Sequence, residues 1–140
     1  MTSVPVIVVG VDGSASSQRA VRWAAQQATR TGATLRAVSS WRWPNYITIL
    51  PPGVDLASDT RRTLDEVLEE ALTGSEDLTV TRHVIEGPPG PALLTQAQDA
   101  SLLVVGAQGR AAFPGMLLGS VAEYCVRQMN WPRCIAAQTV

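Results

Sequence analysis

The chain has 140 residues, 46% of them hydrophobic, and a formal net charge of −1. This length suits one globular domain with one core, and the near-neutral charge argues against general binding to nucleic acid or to an acidic membrane surface. All 11 basic residues are arginine, so the absence of lysine excludes Walker A proteins, protein kinases and pyridoxal phosphate enzymes.

The first half of the chain alternates between strand and helix patterns. A continuous β-branched run over residues 5–11 is typical of a strand buried on both faces. A helix follows, with Ser14 or Ser16 as its cap and Gly32 at its end. A second strand is predicted over residues 34–41.

The middle of the chain begins with a long loop over residues 42–54, which holds three prolines and a glycine. Loops of this length are usually functional or mobile. A second helix is predicted over residues 58–72, capped by Ser58 or Asp59, and a third strand over residues 78–85.

The last part of the chain begins with a proline-rich turn, in which Pro91 suits the first position of a short helix over residues 92–98. A fourth strand over 101–107, a helix over 120–129 and a final strand over 133–138 complete the pattern.

This alternating order indicates an α/β fold. We expect a doubly wound, five-stranded parallel sheet in the order 3-2-1-4-5, with helices on both faces, in one Rossmann-like domain over residues 1–140. Ligands of such sheets bind beyond the carboxyl ends of the strands, where the strand order reverses. This arrangement would bring Gly10 and Asp12, after the first strand, close to Gly106, after the fourth.

The sequence also predicts a compartment. The amino-terminal segment lacks the basic region of a signal peptide, and no apolar run approaches the ~20 residues of a membrane-spanning helix. Two cysteines, Cys125 and Cys134, are too few for a disulfide framework, and their spacing is not that of a zinc site. We interpret them as buried free thiols and expect a soluble cytoplasmic protein.

A glycine-rich stretch follows the fourth strand. Gly106 and Gly109 are followed by Arg110, and the pair Gly119-Ser120 opens the next helix. Glycines can bring the main chain close to an anion and adopt positive φ, and the free N–H groups of a helix start favour the same anion. A tight turn would need neither the second glycine pair nor the serine, so the stretch predicts a nucleotide-phosphate site.

The spacing of these residues is similar to that of a known protein family. The pattern G-x-x-G, nine residues, then G-[ST], together with VVGVDGS near the start and LLVVGAQGR before the loop, resembles the universal stress protein family along the whole chain. That resemblance implies a small α/β sandwich that usually forms homodimers by pairing its last strands. It also implies ATP binding, because family members with this glycine pattern generally bind ATP.

The family resemblance assigns roles by position. Asp12 would lie at the adenosine end and Ser40 near the adenine, while the residues of the glycine stretch would contact the ribose and phosphates. The nucleotide-binding residues expected on this basis are Gly10, Asp12, Ser40, Gly106, Gly109, Arg110, Gly119, Ser120 and Val121. The sequence departs from the family at Gln108, at Ala111-Ala112, where a glycine often stands, and at Arg133 inside the last strand.

The sequence assigns no catalytic residue, because no nucleophile stands beside a base and no carboxylates pair at one strand end. We interpret His83, the single histidine, as a plain strand residue. The leading hypothesis is an ATP-binding stress or signalling module, with Mg²⁺ or Mn²⁺ as candidate companions of the nucleotide and the metal ligands unknown. The alternatives are a slow ATPase, or an interaction protein whose pocket is vestigial or holds another adenine nucleotide such as cyclic AMP.

Overall fold

The structure, a computed structural model, describes residues 4–43, 49, 51–109, 116 and 118–129, and the backbone of 134–137. Strands and helices alternate within these residues. In chain order they are β1 (Val6–Gly10), α1 (Ala15–Thr31), β2 (Thr34–Trp41), α2 (Leu56–Ala71), β3 (Val80–Glu86), α3 (Pro89–Gln96), β4 (Leu102–Gly106), α4 (Ser120–Gln128) and β5 (Cys134–Ala137).

The strands form a parallel sheet in the order β3-β2-β1-β4-β5. β1 pairs with β2 as far as Gly10↔Val38, and with β4 through Val9↔Val104. The predicted parallel sheet and the order of its first four strands are confirmed, and β5 lies beside β4 at the edge. The strand order reverses between β1 and β4, which is where the predicted binding crevice should lie.

The helices cover both faces of the sheet. Successive residues of β1 point to opposite faces, so Val9 packs with α1 and α2, whereas Val8 packs with α3 and α4. Both valine side chains are fully buried, and each such burial contributes roughly 1.5–3 kcal/mol to folding. The continuous apolar run of β1 thus supplies two cores at once, as the sequence predicted.

The ends of α1 agree with the sequence. The Ser14 side chain accepts a hydrogen bond from the backbone N–H of Ser17, at 3.1 Å, and so serves as the N-cap. Gly32 ends the helix in the left-handed conformation, with φ of 72°. A side chain at this φ would be strained, which explains why the helix ends at a glycine.

The predicted start of α2 is wrong. The helix begins at Leu56, because Asp55 is the N-cap and its carboxylate accepts hydrogen bonds from the backbone N–H and the hydroxyl of Ser58. These bonds, the backbone one first, hold the pKa of Asp55 below its usual value. A cap three residues before Ser58 fits the general spacing, since an N-cap carboxylate bonds the third helical N–H.

The predicted start of α3 is also wrong, because Pro89 rather than Pro91 takes the first helical position. Its missing N–H would have had no helical partner there. The bounds of β2 match the prediction, and those of the other four strands differ from it by one or two residues, since chain ends beyond the pairing register fall outside the ladder. Among the described helices, none combines the length and the apolar character needed to cross a membrane.

Candidate functional site

A cleft of about 930 Å³ lies at the carboxyl ends of β1, β2 and β4. Its volume is within the usual range for small-molecule sites. It brings together all the predicted nucleotide-binding residues that the structure describes: Gly10, Asp12, Ser40, Gly106, Gly109, Gly119, Ser120 and Val121. Arg110, the remaining member of that prediction, lies outside the described residues.

Asp12 stands on the turn between β1 and α1. Its Oδ1 accepts a hydrogen bond from the backbone N–H of Ser14, at 2.9 Å, which shapes the entry into the helix. The other carboxylate oxygen lies next to Gly109, where an added Cβ would come within 3.0 Å of it. Asp12 is exposed and lines the cleft, so its local hydrogen bond and its position at the cleft coexist.

The glycines of the stretch serve a purpose that the sequence analysis missed. A Cβ on Gly106 would lie 2.5 Å from Ser16 Oγ, and one on Gly119 would lie 3.2 Å from Gly109 N and 3.3 Å from Ala107 O. None of the three glycines has a positive φ, so that part of the prediction is wrong. Gly106 and Gly119 are needed because backbone segments of α1, of β4 with the loop after it, and of α4 pack closer together than side chains allow, whereas a Cβ on Gly109 would meet the Asp12 carboxylate.

Gly10 meets a different neighbour. A Cβ there would lie 3.0 Å from a methyl group of Leu93, which anchors α3 to the opposite face of the sheet. Leu93 is buried and also lines the cleft. The absence of a side chain at Gly10 therefore allows the close packing of β1 against α3 beneath the cleft.

The amino terminus of α4 forms part of the cleft wall. Gly119 is its N-cap and, having no side chain, supplies no side-chain hydrogen bond to the first turn. By contrast, Ser14 and Asp55 cap α1 and α2 with side-chain oxygens. Ser120 and Val121, the first residues of α4, line the cleft. Backbone N–H groups and the positive end of the helix dipole thus face a space that suits an anion.

One wall of the cleft was not predicted. It comes from the first turns of α2, through Leu56, Asp59, Thr60 and Thr63. These residues recur at intervals of three and four, so they lie on one face of the helix. The sequence signal was this helically spaced stripe next to the long loop, and assigning the helix start to residue 58 rather than Leu56 obscured it.

Aromatic side chains stand at the end of β2. Trp41 lines the cleft and packs edge-to-face against Trp43, with ring centroids 5.5 Å apart and planes at 86°. Such pairs are favourable beyond their area of burial.

Few of the described residues along the cleft are charged. They are Asp12, Arg42 and Asp59, and Asp59 forms an ion pair with Arg62 at 2.6 Å. Within the described part of the chain, no group of three or more histidine, cysteine or acidic side chains is arranged to hold a metal ion. The described part of the lining therefore offers anions mainly backbone N–H groups and hydroxyls.

His83 is not among the described residues that line the cleft. It lies on β3, where its Nε2 is 3.1 Å from Thr81 Oγ1. Burial lowers the pKa of His83, and the positive charges of Arg36 and Arg61 lower it further. Its interpretation as a strand residue agrees with this position.

Comparison with known proteins gives a consistent set of relatives. Residues 4–135 match the universal stress protein family. Universal stress protein Rv2623 of Mycobacterium tuberculosis is 31% identical over 144 aligned positions, which cover 96% of this chain and 46% of the relative. Universal stress protein Rv1996 of the same organism is 36% identical over 138 positions, covering 93% and 43%. The chain thus spans about half the length of the curated relatives it matches.

A solved structure is similar over nearly its full length. It is a universal stress protein crystallised in complex with cAMP, 28% identical to this chain, with a TM-score of 0.69 and coverage of 98% of both chains. The similarity extends over all the strands that form the cleft.

Proposed function

The chain belongs to the universal stress protein family, and from this premise we propose that it binds an adenine nucleotide in the cleft at the carboxyl ends of β1, β2 and β4. The observation that supports this most is the amino terminus of α4, which has no side-chain cap and opens on the cleft beside Gly109. A helix start of this kind suits a phosphate.

We assign the two ends of the nucleotide to opposite walls. Asp12 and Ser40 take the adenosine end. The ribose and phosphates lie along Gly106, Gly109 and Arg110, and the terminal phosphates meet Ser120 and Val121 at the start of α4. A divalent ion would accompany the phosphates, with the Ser120 hydroxyl as a candidate ligand.

ATP is the first candidate ligand. Bound nucleotide would favour one arrangement of the loop after β4 and so one conformational or dimeric state, because a ligand shifts an equilibrium by its differential affinity. We propose a cytoplasmic homodimer of single universal stress domains, paired through the edge strand β5, as a stress or signalling module.

Cyclic AMP is the second candidate, and two observations favour it. The similar structure described above was solved with cAMP. Among the described residues, the charged lining of the cleft is Arg42, Asp12 and an Asp59 that is already paired with Arg62. This part of the lining has no excess of positive charge, which suits a singly charged ligand better than a triphosphate without its metal ion. The charge balance therefore predicts that ATP binds more tightly with Mg²⁺ than without it.

Isothermal titration tests the proposed function. ATP with and without Mg²⁺, AMP and cyclic AMP are titrated separately, and GTP serves as the control for the base. We expect one site with a dissociation constant below ~1 mM, about −4 kcal/mol, for at least one adenine nucleotide, and weaker binding of GTP. Absence of binding by every adenine nucleotide would remove the proposed function. A phosphate-release assay over hours tests the slow-ATPase alternative.

A further inference from the structure

Three serines are the polar residues buried in the described part of the chain. Ser16, Ser17 and Ser39 are 6%, 3% and 4% exposed. A buried hydroxyl is unfavourable unless it is hydrogen-bonded, and a small apolar residue would fill the same place in a core. All three hydroxyls form hydrogen bonds with backbone groups around the cleft. Packing alone does not explain why these buried positions hold serine.

Two of these serines hold opposite ends of one peptide bond. The Ser39 hydroxyl donates to the carbonyl oxygen of Val11, at 2.7 Å. The N–H of Asp12 donates to Ser17 Oγ, at 3.4 Å. The carbonyl of Val11 and the N–H of Asp12 belong to the same planar unit, so fixing both fixes the direction in which the chain leaves β1 at Asp12.

These hydrogen bonds lie just beyond the last residue pair that joins β1 to β2 in the sheet. The last paired residues of β1 and β2 are Gly10 and Val38, and one further backbone bond joins Val11 N to Val38 O, at 2.8 Å. Ser39 extends the attachment by one more group, with a side chain in place of a ladder bond. The peptide bond between Val11 and Asp12 is therefore held to β2 although it lies beyond the strand.

The third serine connects the other wall of the cleft. Ser16 Oγ accepts a hydrogen bond from the backbone N–H of Gln108, at 3.2 Å. The same serine packs against Gly106 so closely that a Cβ on Gly106 would lie 2.8 Å from the Ser16 carbonyl carbon. The first turn of α1 thus fixes the peptide before Asp12 and the start of the loop after β4.

We infer that Ser16, Ser17 and Ser39 are positioning residues of the nucleotide site, which hold Asp12 and the backbone at Gln108 at a fixed separation across the cleft. This inference rests on the proposed function. Binding sites lose affinity when the groups that contact the ligand move by more than ~0.5 Å from their productive positions, even though the fold persists. Removing a hydroxyl should therefore weaken nucleotide binding by more than it destabilises the fold.

The chain offers a matched control. The Ser101 hydroxyl donates to the carbonyl of Val6, at 3.0 Å, at the opposite end of β1 from the cleft. Ser101→Ala removes the same kind of bond from the same strand, though at an exposed position. Ser39→Ala and Ser101→Ala are the pair to compare, with thermal melting to identify conditions in which both are folded.

The first measurement needs no ligand. In amide NMR spectra of the unliganded protein, Ser39→Ala should shift the Asp12 and Gly13 signals, whereas Ser101→Ala should leave them in place. Unchanged Asp12 and Gly13 signals in Ser39→Ala would contradict the role of Ser39 in fixing the peptide bond between Val11 and Asp12, whether or not a nucleotide binds.

The second measurement is the titration with ATP and Mg²⁺, or with cyclic AMP if that ligand binds the wild type more tightly. We expect Ser39→Ala to bind about tenfold more weakly and Ser101→Ala to bind like the wild type. If folded Ser39→Ala binds like the wild type, the inference is wrong and the proposed function stands. If the wild type binds no adenine nucleotide, the proposed function fails and with it the role in binding.

Should Ser39→Ala fail to fold, Ser17→Ala replaces it, because it releases the other end of the same peptide bond and leaves the backbone N–H of Ser17 bonded to Ser14. The same shift of the Asp12 signal and the same loss of affinity are expected. Normal affinity in folded Ser17→Ala would then overturn the inference.

Discussion

The shape of the cleft depends on the absence of a side chain at Gly119. A methyl group on Gly119 would meet backbone atoms of Gly109 and Ala107 at 3.2 and 3.3 Å. Backbone cannot move aside as the end of a flexible side chain can, so each added carbon must push the start of α4 away from the loop. The position of the α4 N–H groups therefore depends on this glycine.

Graded substitution of Gly119 tests that dependence. Gly119→Ala should weaken nucleotide binding by about tenfold, and Gly119→Val should abolish it, because the displacement of α4 grows with side-chain volume. Titration of the folded variants measures both effects, and circular dichroism checks the fold. Undiminished affinity in Gly119→Val would refute the assigned geometry.

Asp12 allows its local and its ligand-facing roles to be separated. Asp12→Asn keeps an oxygen that can accept from the Ser14 N–H, whereas Asp12→Ala removes it. We expect Asp12→Asn to melt close to the wild type and still bind nucleotide roughly tenfold more weakly. Asp12→Ala should lose both stability and affinity. Full affinity in Asp12→Asn would show that the negative charge plays no part in binding.

At the scale of elements, the helix starts explain what the cleft presents. α1 and α2 begin with side-chain caps from Ser14 and Asp55, whereas α4 begins at Gly119. A capped start has part of its N–H groups already bonded. Among the helix starts that line the cleft, those of α3 and α4 have no side-chain cap, and α3 begins with Pro89, which has no N–H to offer. The placement of caps thus leaves the anion-binding capacity of α4 for a ligand.

His83, on the edge strand β3, makes the free energy of unfolding depend on pH. The pKa of His83 is lowered, first by burial and then by Arg36 and Arg61, so the unfolded chain takes up its proton more readily than the folded one. This contribution to stability is present above the unfolded pKa, about 6.5, and is lost as the pH falls below it.

Urea denaturation at two pH values measures this effect. We expect the urea midpoint of the wild type to decrease when the pH is lowered from 7.5 to 5.5, and that of His83→Gln to decrease less. His83 is the only histidine in the chain, so the difference belongs to one group. Equal decreases in the two proteins would contradict the lowered pKa.

At the scale of the whole molecule, the sequence predicted the arrangement of the sheet but not its finer contacts. The alternating pattern and the apolar run of β1 sufficed for a parallel sheet with helices on both faces, because burial on both faces leaves a strong signal. The same logic placed Asp12 and Gly106 at one crevice.

The remaining features depend on contacts between distant parts of the chain. The close approach of Ser16 to Gly106, and of Leu93 to Gly10, arises from packing that no local pattern encodes. The α2 wall was missed because Asp55 caps the helix before the predicted start. Glycine spacing revealed where a tight site lies, but the structure was needed to identify the protein atoms that require those glycines.

Amide NMR mapping of the wild-type protein with ATP and Mg²⁺, and with cyclic AMP, tests most directly that an adenine nucleotide occupies this cleft. We expect shifted signals to cluster at the cleft, at Asp12, Ser40, Gly109 and Ser120, while Gly32 and Ser101 at the opposite end of the sheet stay in place. Shifts concentrated away from the cleft, or none with either nucleotide at ~1 mM, would contradict adenine-nucleotide binding at this site.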